Sequence, residues 1–264
     1  MSAVVIIPAR YGSTRFPGKL LSPLSGKPVI RHVCERAMTA TLADRVIVAT
    51  DSDKIYQTVR SFGGDAVMTS SEHPSGTDRI AEAARGADYD IIVNVQGDEP
   101  LIRGEMIDSV ISLLEDSRAD MGTLVKRIED TDEVFDPNVV KAVFDTQGFA
   151  LYFSRAPIPF YREELRVAGC GLRVKEKETL NLEPGTLNLE FYKHIGIYSY
   201  RRDVLLNLTG LSQSALEKAE RLEQLRALEN GYKIKVGITA HETIGVDTRE
   251  DIEKVERWLG ERGK

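Results

Sequence analysis

Within its first twenty residues the chain places Arg10, Arg15 and Lys19 among Gly12 and Gly18. Three cations on a backbone that glycines leave free to approach a ligand suit a polyphosphate, although a solvated turn is the plainer account of the same stretch. Two common phosphate loops are excluded. Five residues rather than four separate Gly12 from Gly18, and Leu20 rather than Ser or Thr follows Lys19, so this is no Walker loop. Nor does a G-x-G-x-x-G follow the preceding apolar run.

A second polar group is the segment QGDEP at 96–100. A carboxylate facing a basic phosphate site is a natural anchor for a magnesium ion shared with phosphate oxygens. Asp98 is the expected ligand, with Glu99 its competitor. Asp247 reads either as the neighbour of a helix cap or as a second carboxylate on that metal. The polar loop 70–79 opens a helix and would offer free N–H groups to an anion; Ser75 and Thr77 have the simpler reading of caps. His194 and Tyr198 share one face of an alternating segment and suit a polar substrate as well as they suit a half-exposed strand.

The elements that must position these residues follow from periodicity. Strands are expected at 4–7, 45–50, 66–69, 90–95 and 121–126, alternating with helices at 28–40, 54–62, 80–85 and 106–114. Pro28 would hold the first helical position, Val29, Ile30, Val33, Ala37 and Met38 the buried stripe, and Ser52 or Asp53 the cap of the next helix. This alternation predicts an α/β fold, a doubly wound, mostly parallel sheet whose ligands collect outside the carboxyl ends of its strands. Arg10, Lys19 and Asp98 all follow such ends. The pattern then changes. Segments 139–144 and 150–154 flank a turn at 146–148 and predict a hairpin, and 194–201 a strand. A capping box at Ser214 and Glu217 starts a helix expected to run to Asn230, with Leu216, Ala219, Leu222, Leu225 and Leu228 buried. A strand at 233–239 and a helix at 249–259 close the chain. We expect one domain over 1–264, with a smaller antiparallel, loop-rich insertion at about 127–200 that covers the crevice or meets another subunit.

Composition sets the class. The chain has 264 residues, 42% hydrophobic and 29% charged, enough for a sizeable core. A net charge of -6 argues against a nucleic-acid partner, so the basic cluster is a pocket rather than a coat. No apolar stretch approaches membrane-spanning length, and the run before Pro8 is too short for a signal peptide. Cys34 and Cys170 are the only cysteines, without metal-type spacing. A cytoplasmic protein with reduced thiols is expected.

The chain resembles the 3-deoxy-manno-octulosonate cytidylyltransferases (CMP-Kdo synthetases) in IPARYGSTRFPGK at 7–19, VATD at 48–51, HPSGTDR at 73–79, NVQGDEP at 94–100, YFSRAPIP at 152–159, KHIGIY at 193–198, LEQLR at 222–226 and GVDT at 245–248. The first motif marks only the wider sugar-nucleotidyltransferase class; the ordered set is more specific. The resemblance implies a nucleotide-diphospho-sugar transferase-like fold, a homodimer, and the magnesium-dependent reaction of CTP with Kdo, an acidic eight-carbon sugar of lipopolysaccharide, giving CMP-Kdo and pyrophosphate. It implies that Arg10, Ser13, Arg15 and Lys19, with Ser71, Ser75 and Gly76, hold the nucleotide, and that Asp98 and Asp247 hold Mg2+. Arg10, Arg15, Lys19 and Asp98 would be the catalytic set. Arg79, Gln96, Arg155, His194, Tyr198, Glu223 and Gln224 would meet the sugar, Arg79 or Arg155 its carboxylate. An enzyme for the 8-amino derivative of Kdo would use the same motifs. A nucleotide-sensing module without catalysis would not need both carboxylates.

Overall fold

The computed structural model describes residues 1–12, 16–86, 88–160 and 190–262. Ser13, Arg15, Cys170 and the loop-rich segment 161–189 lie outside the described residues. The chain begins with β1 (Ala3–Ala9), followed by a small antiparallel pair, β2 (Pro23–Leu24) and β3 (Lys27–Pro28), and α1 (Val29–Ala37). Then come β4 (Arg45–Thr50), α2 (Asp53–Ser61), β5 (Asp65–Met68), α3 (Gly76–Arg85), β6 (Ile91–Asn94), α4 (Gly104–Ser112) and β7 (Met121–Arg127). The second half adds α5 (Asp132–Phe135), the hairpin of β8 (Lys141–Phe144) and β9 (Ala150–Ser154), β10 (Tyr192–Arg201) and α6 (Arg202–Leu208). It ends with α7 (Ala215–Glu220), α8 (Gln224–Glu229), β11 (Ile234–Ile238) and α9 (Arg249–Arg262).

The main sheet runs β11-β7-β10-β6-β1-β4-β5, with β8 and β9 joined to β10. β10 is antiparallel to both its neighbours, and the pairs β11/β7, β6/β1, β1/β4 and β4/β5 are parallel. The expected mostly parallel α/β sheet is thus present. Val4 to Ile7 are all 0% exposed because helices cover both faces. Val5 and Ile7 pack into one apolar cluster with α1 and α4, Val4 and Ile6 into another with α3 and α6, which is why this strand reads as an uninterrupted apolar run. A third cluster lies apart from the sheet. Leu24, Val29, Leu101, Val246 and Val255, with Phe16, Ile244 and Trp258 against them, clamp α9 and the residues before it onto the 16–29 loop.

Several elements differ from expectation. Pro28 is the cap residue of α1, not its first helical position, and Met38 is half exposed while Cys34 takes its place in the stripe. Ser52 sits at the cap of α2 but makes no side-chain capping bond. The helix expected over 214–230 is broken in two at Arg221, which adopts a left-handed φ of 54°. The capping box at Ser214 is present. Beyond the break the apolar periodicity restarts, so Leu216 and Ala219 are exposed while Glu217 is buried. Among the described residues no helix is long and apolar enough to cross a membrane.

Gly122, central in β7, shows how closely the sheet and α4 are packed. A Cβ there would stand 2.5 Å from Ser199 Oγ and 3.0 Å from Val110 O. Overpacking of this kind costs about 1–3 kcal/mol, so Gly122→Ala should lower the unfolding free energy by that amount in urea titrations. An unchanged midpoint would show that α4 shifts freely on the sheet.

Candidate active site

β1, β6 and β11 end at the same edge of the sheet, and the segments after them meet there. After β1, Arg10 is exposed. Gly18, at a φ of 73°, donates its N–H to Tyr11 O (3.1 Å), returning the loop to the end of that strand. Leu20, 4% exposed, fixes the next turn in the core. Lys19 between them extends to two carboxylates: its Nζ donates to Asp98, after β6, and to Asp247 Oδ1 at 2.8 Å. Those partners are 79 and 228 residues away in sequence. Burial works against the ammonium, but Asp98 and Asp247 outweigh it and its pKa is raised.

Asp98 and Asp247 are also tied through the backbone, since Val246 N–H donates to Asp98 O at 2.8 Å. Gly97 lets the acidic loop lie against β1, where a Cβ would be 2.9 Å from Pro8 O. Asp251 accepts from the N–H groups of Asp247 (3.1 Å) and Thr248 (2.9 Å) and so fixes the entry to α9. Both readings of Asp247 therefore hold at once: it precedes a helix start, and its side chain meets Asp98 across Lys19. Glu99 faces elsewhere, with Oε1 3.6 Å from the position a Cβ of Gly196 would take. Burial, with Asp98 adjacent, pushes its carboxyl up to about 8.

Among the described residues no group of three or more His, Cys, Asp and Glu forms a metal cage. Two carboxylates beside a phosphate-type loop nevertheless fit magnesium. That ion keeps several waters and is usually bound by one or two carboxylates together with substrate phosphates.

A second group lies beside the first. Tyr198 pairs with Asn94, the last residue of β6, so the first half of β10 extends past the end of that strand. His194 and Tyr198 stack there with ring centroids 5.2 Å apart. Thr123 Oγ1 donates to Ile197 O (2.8 Å) and is 3.0 Å from His194 Nε2. The hydroxyl proton being used, Nε2 is the donor and Nδ1 remains an acceptor. Gln96 Nε2 donates to Asn94 Oδ1 at 3.1 Å. The break at Arg221 places Glu223 and Gln224 at the start of α8. Glu223 accepts from the Thr77 hydroxyl at the start of α3, and Arg226 stands 3.6 Å away. Burial raises the Glu223 carboxyl against the opposing pull of Thr77 and Arg226. Gln224 is 6% exposed, and its Nε2 has no hydrogen-bond partner among the described residues. An orphaned buried donor of this kind suits a ligand acceptor.

Other expected residues bond chiefly to partners outside these two groups, although Ser75 also reaches the Glu223 carboxyl. Arg79 is 4% exposed and fully engaged, by Asp51 Oδ2 (2.7 Å), Thr69 Oγ1 (2.5 Å) and Ser70 O (3.2 Å). Asp51, directly after β4, is thus the partner of Arg79. Arg155 donates to Glu220 O and Pro137 O, both at 2.8 Å. Ser75 caps α3 by accepting from Asp78 N–H at 3.1 Å, Gly76 opens that helix against Pro8, and Ser71 is exposed in the loop before it. Sequence reasoning missed the supporting residues Asn94, Thr123 and Arg226. A polar residue ending the apolar run of β6 was a signal for the first; the last shares two bonds with Glu217 (2.8 and 2.5 Å), a contact that only the helix break permits.

The family model described as Cytidylyltransferase matches residues 4–234. The chain is 52% identical to the 3-deoxy-manno-octulosonate cytidylyltransferase of Thermodesulfovibrio yellowstonii, over 98% of each chain. It is 51% identical to that of Geotalea daltonii over the full length of both. Among solved structures, a CMP:2-keto-3-deoxy-manno-octonic acid synthetase complexed with CTP superposes with a TM-score of 0.87 at 40% identity, covering 99% of this chain and 100% of the other.

Burial lowers the His194 imidazole from 6.5 to about 3. Between those values the unfolded chain binds a proton that the folded chain does not, so this residue makes stability fall as pH drops below about 6.5. His194→Gln should therefore flatten the decline in unfolding free energy between pH 7.5 and 5, while costing about 1 kcal/mol at pH 7.5 through its altered hydrogen bond. Parallel pH profiles for variant and wild type would show that the imidazole is not held neutral.

Proposed function

The chain belongs to the cytidylyltransferase family, and we propose that it joins CTP to 3-deoxy-manno-octulosonate, giving CMP-Kdo and pyrophosphate for lipopolysaccharide assembly. Full-length identity of about half to relatives bearing that activity in their names supports the substrate pair. The observation that carries the mechanism is the meeting of Lys19, Asp98 and Asp247 at one strand edge. A domain spanning 1–264 would act as a homodimer in the cytoplasm, with the region about 127–200 over the crevice or at the subunit contact.

In this reading Arg10, Lys19 and the loop residues Ser13 and Arg15 take the triphosphate. Their charges oppose the negative charge that builds on the phosphate oxygens and on departing pyrophosphate. The N-terminus of α3, with Ser75 and Gly76, and the neighbouring Ser71 serve the nucleotide. Asp98 and Asp247 would hold Mg2+, which supplies charge neutralisation at the α-phosphate and a lowered pKa for a bound sugar hydroxyl. Lys19 then transfers its contact from the carboxylates to phosphate oxygens. His194 Nδ1 and the Glu223 carboxylate accept from sugar hydroxyls. Gln96 and the orphaned Gln224 Nε2 donate to them, and Tyr198 walls the pocket. With Arg79 held by Asp51, Arg155 is the better placed of the two candidates to meet the sugar carboxylate, on exchanging a backbone carbonyl for it. Orientation and charge do the work, and no side-chain base is required.

Pyrophosphate release should require CTP rather than ATP, GTP or UTP, together with Kdo and Mg2+. Asp98→Asn should lower it by at least about a hundredfold, the scale seen when one electrostatic stabiliser is removed, with circular dichroism unchanged. Near-normal turnover by Asp98→Asn would overturn the metal assignment. Faster turnover of the 8-amino sugar than of Kdo would overturn the substrate.

A further inference from the structure

Lys126 on β7 and Lys193 on β10 stand directly opposite each other in the antiparallel ladder. Their side chains are only 16% and 12% exposed. Like charges in that position repel, and half-buried ammonium groups require partners. Glu242 supplies the shared one, accepting from Lys126 Nζ and from Lys193 Nζ at 2.9 Å, and Glu133 of α5 accepts from Lys193 at 2.6 Å. Although burial opposes it, the two lysines hold the Glu242 carboxyl below its usual range.

Glu242 belongs to the segment that returns from β11 to α9. That segment leaves the sheet at Thr239, whose N–H donates to Val125 O at 2.9 Å, and is fixed again at Val246, whose N–H donates to Asp98 O at 2.8 Å. His241 adds a contact of 2.7 Å to Glu105, a largely exposed and therefore weak partner. Between the two ends Ile244 rests against the third apolar cluster, and the glutamate between two lysines is the contact that ties the segment to the sheet.

We propose that Glu242 is a positioning residue: seated between Lys126 and Lys193, it sets the course of the segment so that Asp247 arrives opposite Asp98. This rests on the reading of Asp98 and Asp247 as the metal pair and extends it to residues that touch neither metal nor substrate. Lys193, next in sequence to His194, keeps Glu133 as a second partner, so the strand that walls the sugar pocket does not depend on Glu242 alone.

The test uses the full chain with CTP present and follows two quantities: manganese binding, from the paramagnetic resonance of the free ion, and pyrophosphate release against magnesium concentration. Loss of an outer partner of a metal ligand typically costs about ten- to a hundredfold in metal affinity, and Glu242→Gln should weaken manganese binding by that factor. Saturating magnesium should restore most of kcat, and KM for the sugar should change by less than about threefold. Glu242→Gln leaves two lysines facing each other and is open to misfolding. The double variant Lys126→Gln/Glu242→Gln removes that repulsion, leaves Lys193 with Glu133, and should show the same shift in metal dependence. Manganese binding at wild-type strength in the folded variants, with Asp247→Asn impaired, would overturn this proposal alone. So would a loss of kcat that magnesium does not restore, since that marks a purely structural role. Wild-type manganese binding by Asp247→Asn would overturn the metal pair and this proposal with it.

Discussion

One ammonium shared by two carboxylates governs the architecture of the site. Lys19, Asp98 and Asp247 come from the beginning, middle and end of the chain, and a largely buried charge is tolerated only when its partners are fixed in place. Much of the fold serves that requirement. The parallel strands bring the first two segments to one edge, and the apolar cluster around Leu24, Leu101, Val246 and Val255 brings the third. The bond from Val246 N–H to Asp98 O then sets the distance between the acidic segments without involving either side chain. In the proposed reaction a substrate phosphate would meet at Lys19 a cation already largely desolvated, which exchanges carboxylate for phosphate oxygens.

The adjoining group around His194, Glu223 and Gln224 is built on a different principle. It contains few net charges, and its polar atoms are shaped by what they already bond. Thr123 fixes the tautomer of His194, Thr77 and Arg226 oppose the rise of the Glu223 carboxyl, and Asn94 turns the amide of Gln96. Gln224 is left with a donor that no described residue satisfies. A hydroxyl-rich ligand would complete the bonding there, whereas an apolar one would leave the donor unmet at a cost of about 1–3 kcal/mol.

Elements made by local periodicity were legible in the sequence: the buried strands, the hairpin with its glycine turn, and the capping box at Ser214. So was the meeting of Asp98 and Lys19, because the ends of parallel strands collect at one edge. What escaped were features set by contacts distant in sequence. The continuous apolar spacing through 214–230 hides the break at Arg221, which buries the Glu217–Arg226 pair and leaves Leu216 and Ala219 exposed. Arg79 is a ligand cation only by what the resemblance implies, and the fold shows Asp51 already bound to it. Nothing in the local pattern pairs Lys126 with Lys193; the register alone sets them face to face.

The reversed direction of β10 has a consequence for how this protein can change. Because the strand outruns β6, His194 and Tyr198 reach the crevice from its flank, whereas Arg10 and Asp98 stand at strand ends. A substitution along that flank alters one wall without displacing a loop that touches phosphate. Inheritance of the two halves is therefore separable. Under the proposed function, the sugar wall can be altered while the residues at the triphosphate stay in place.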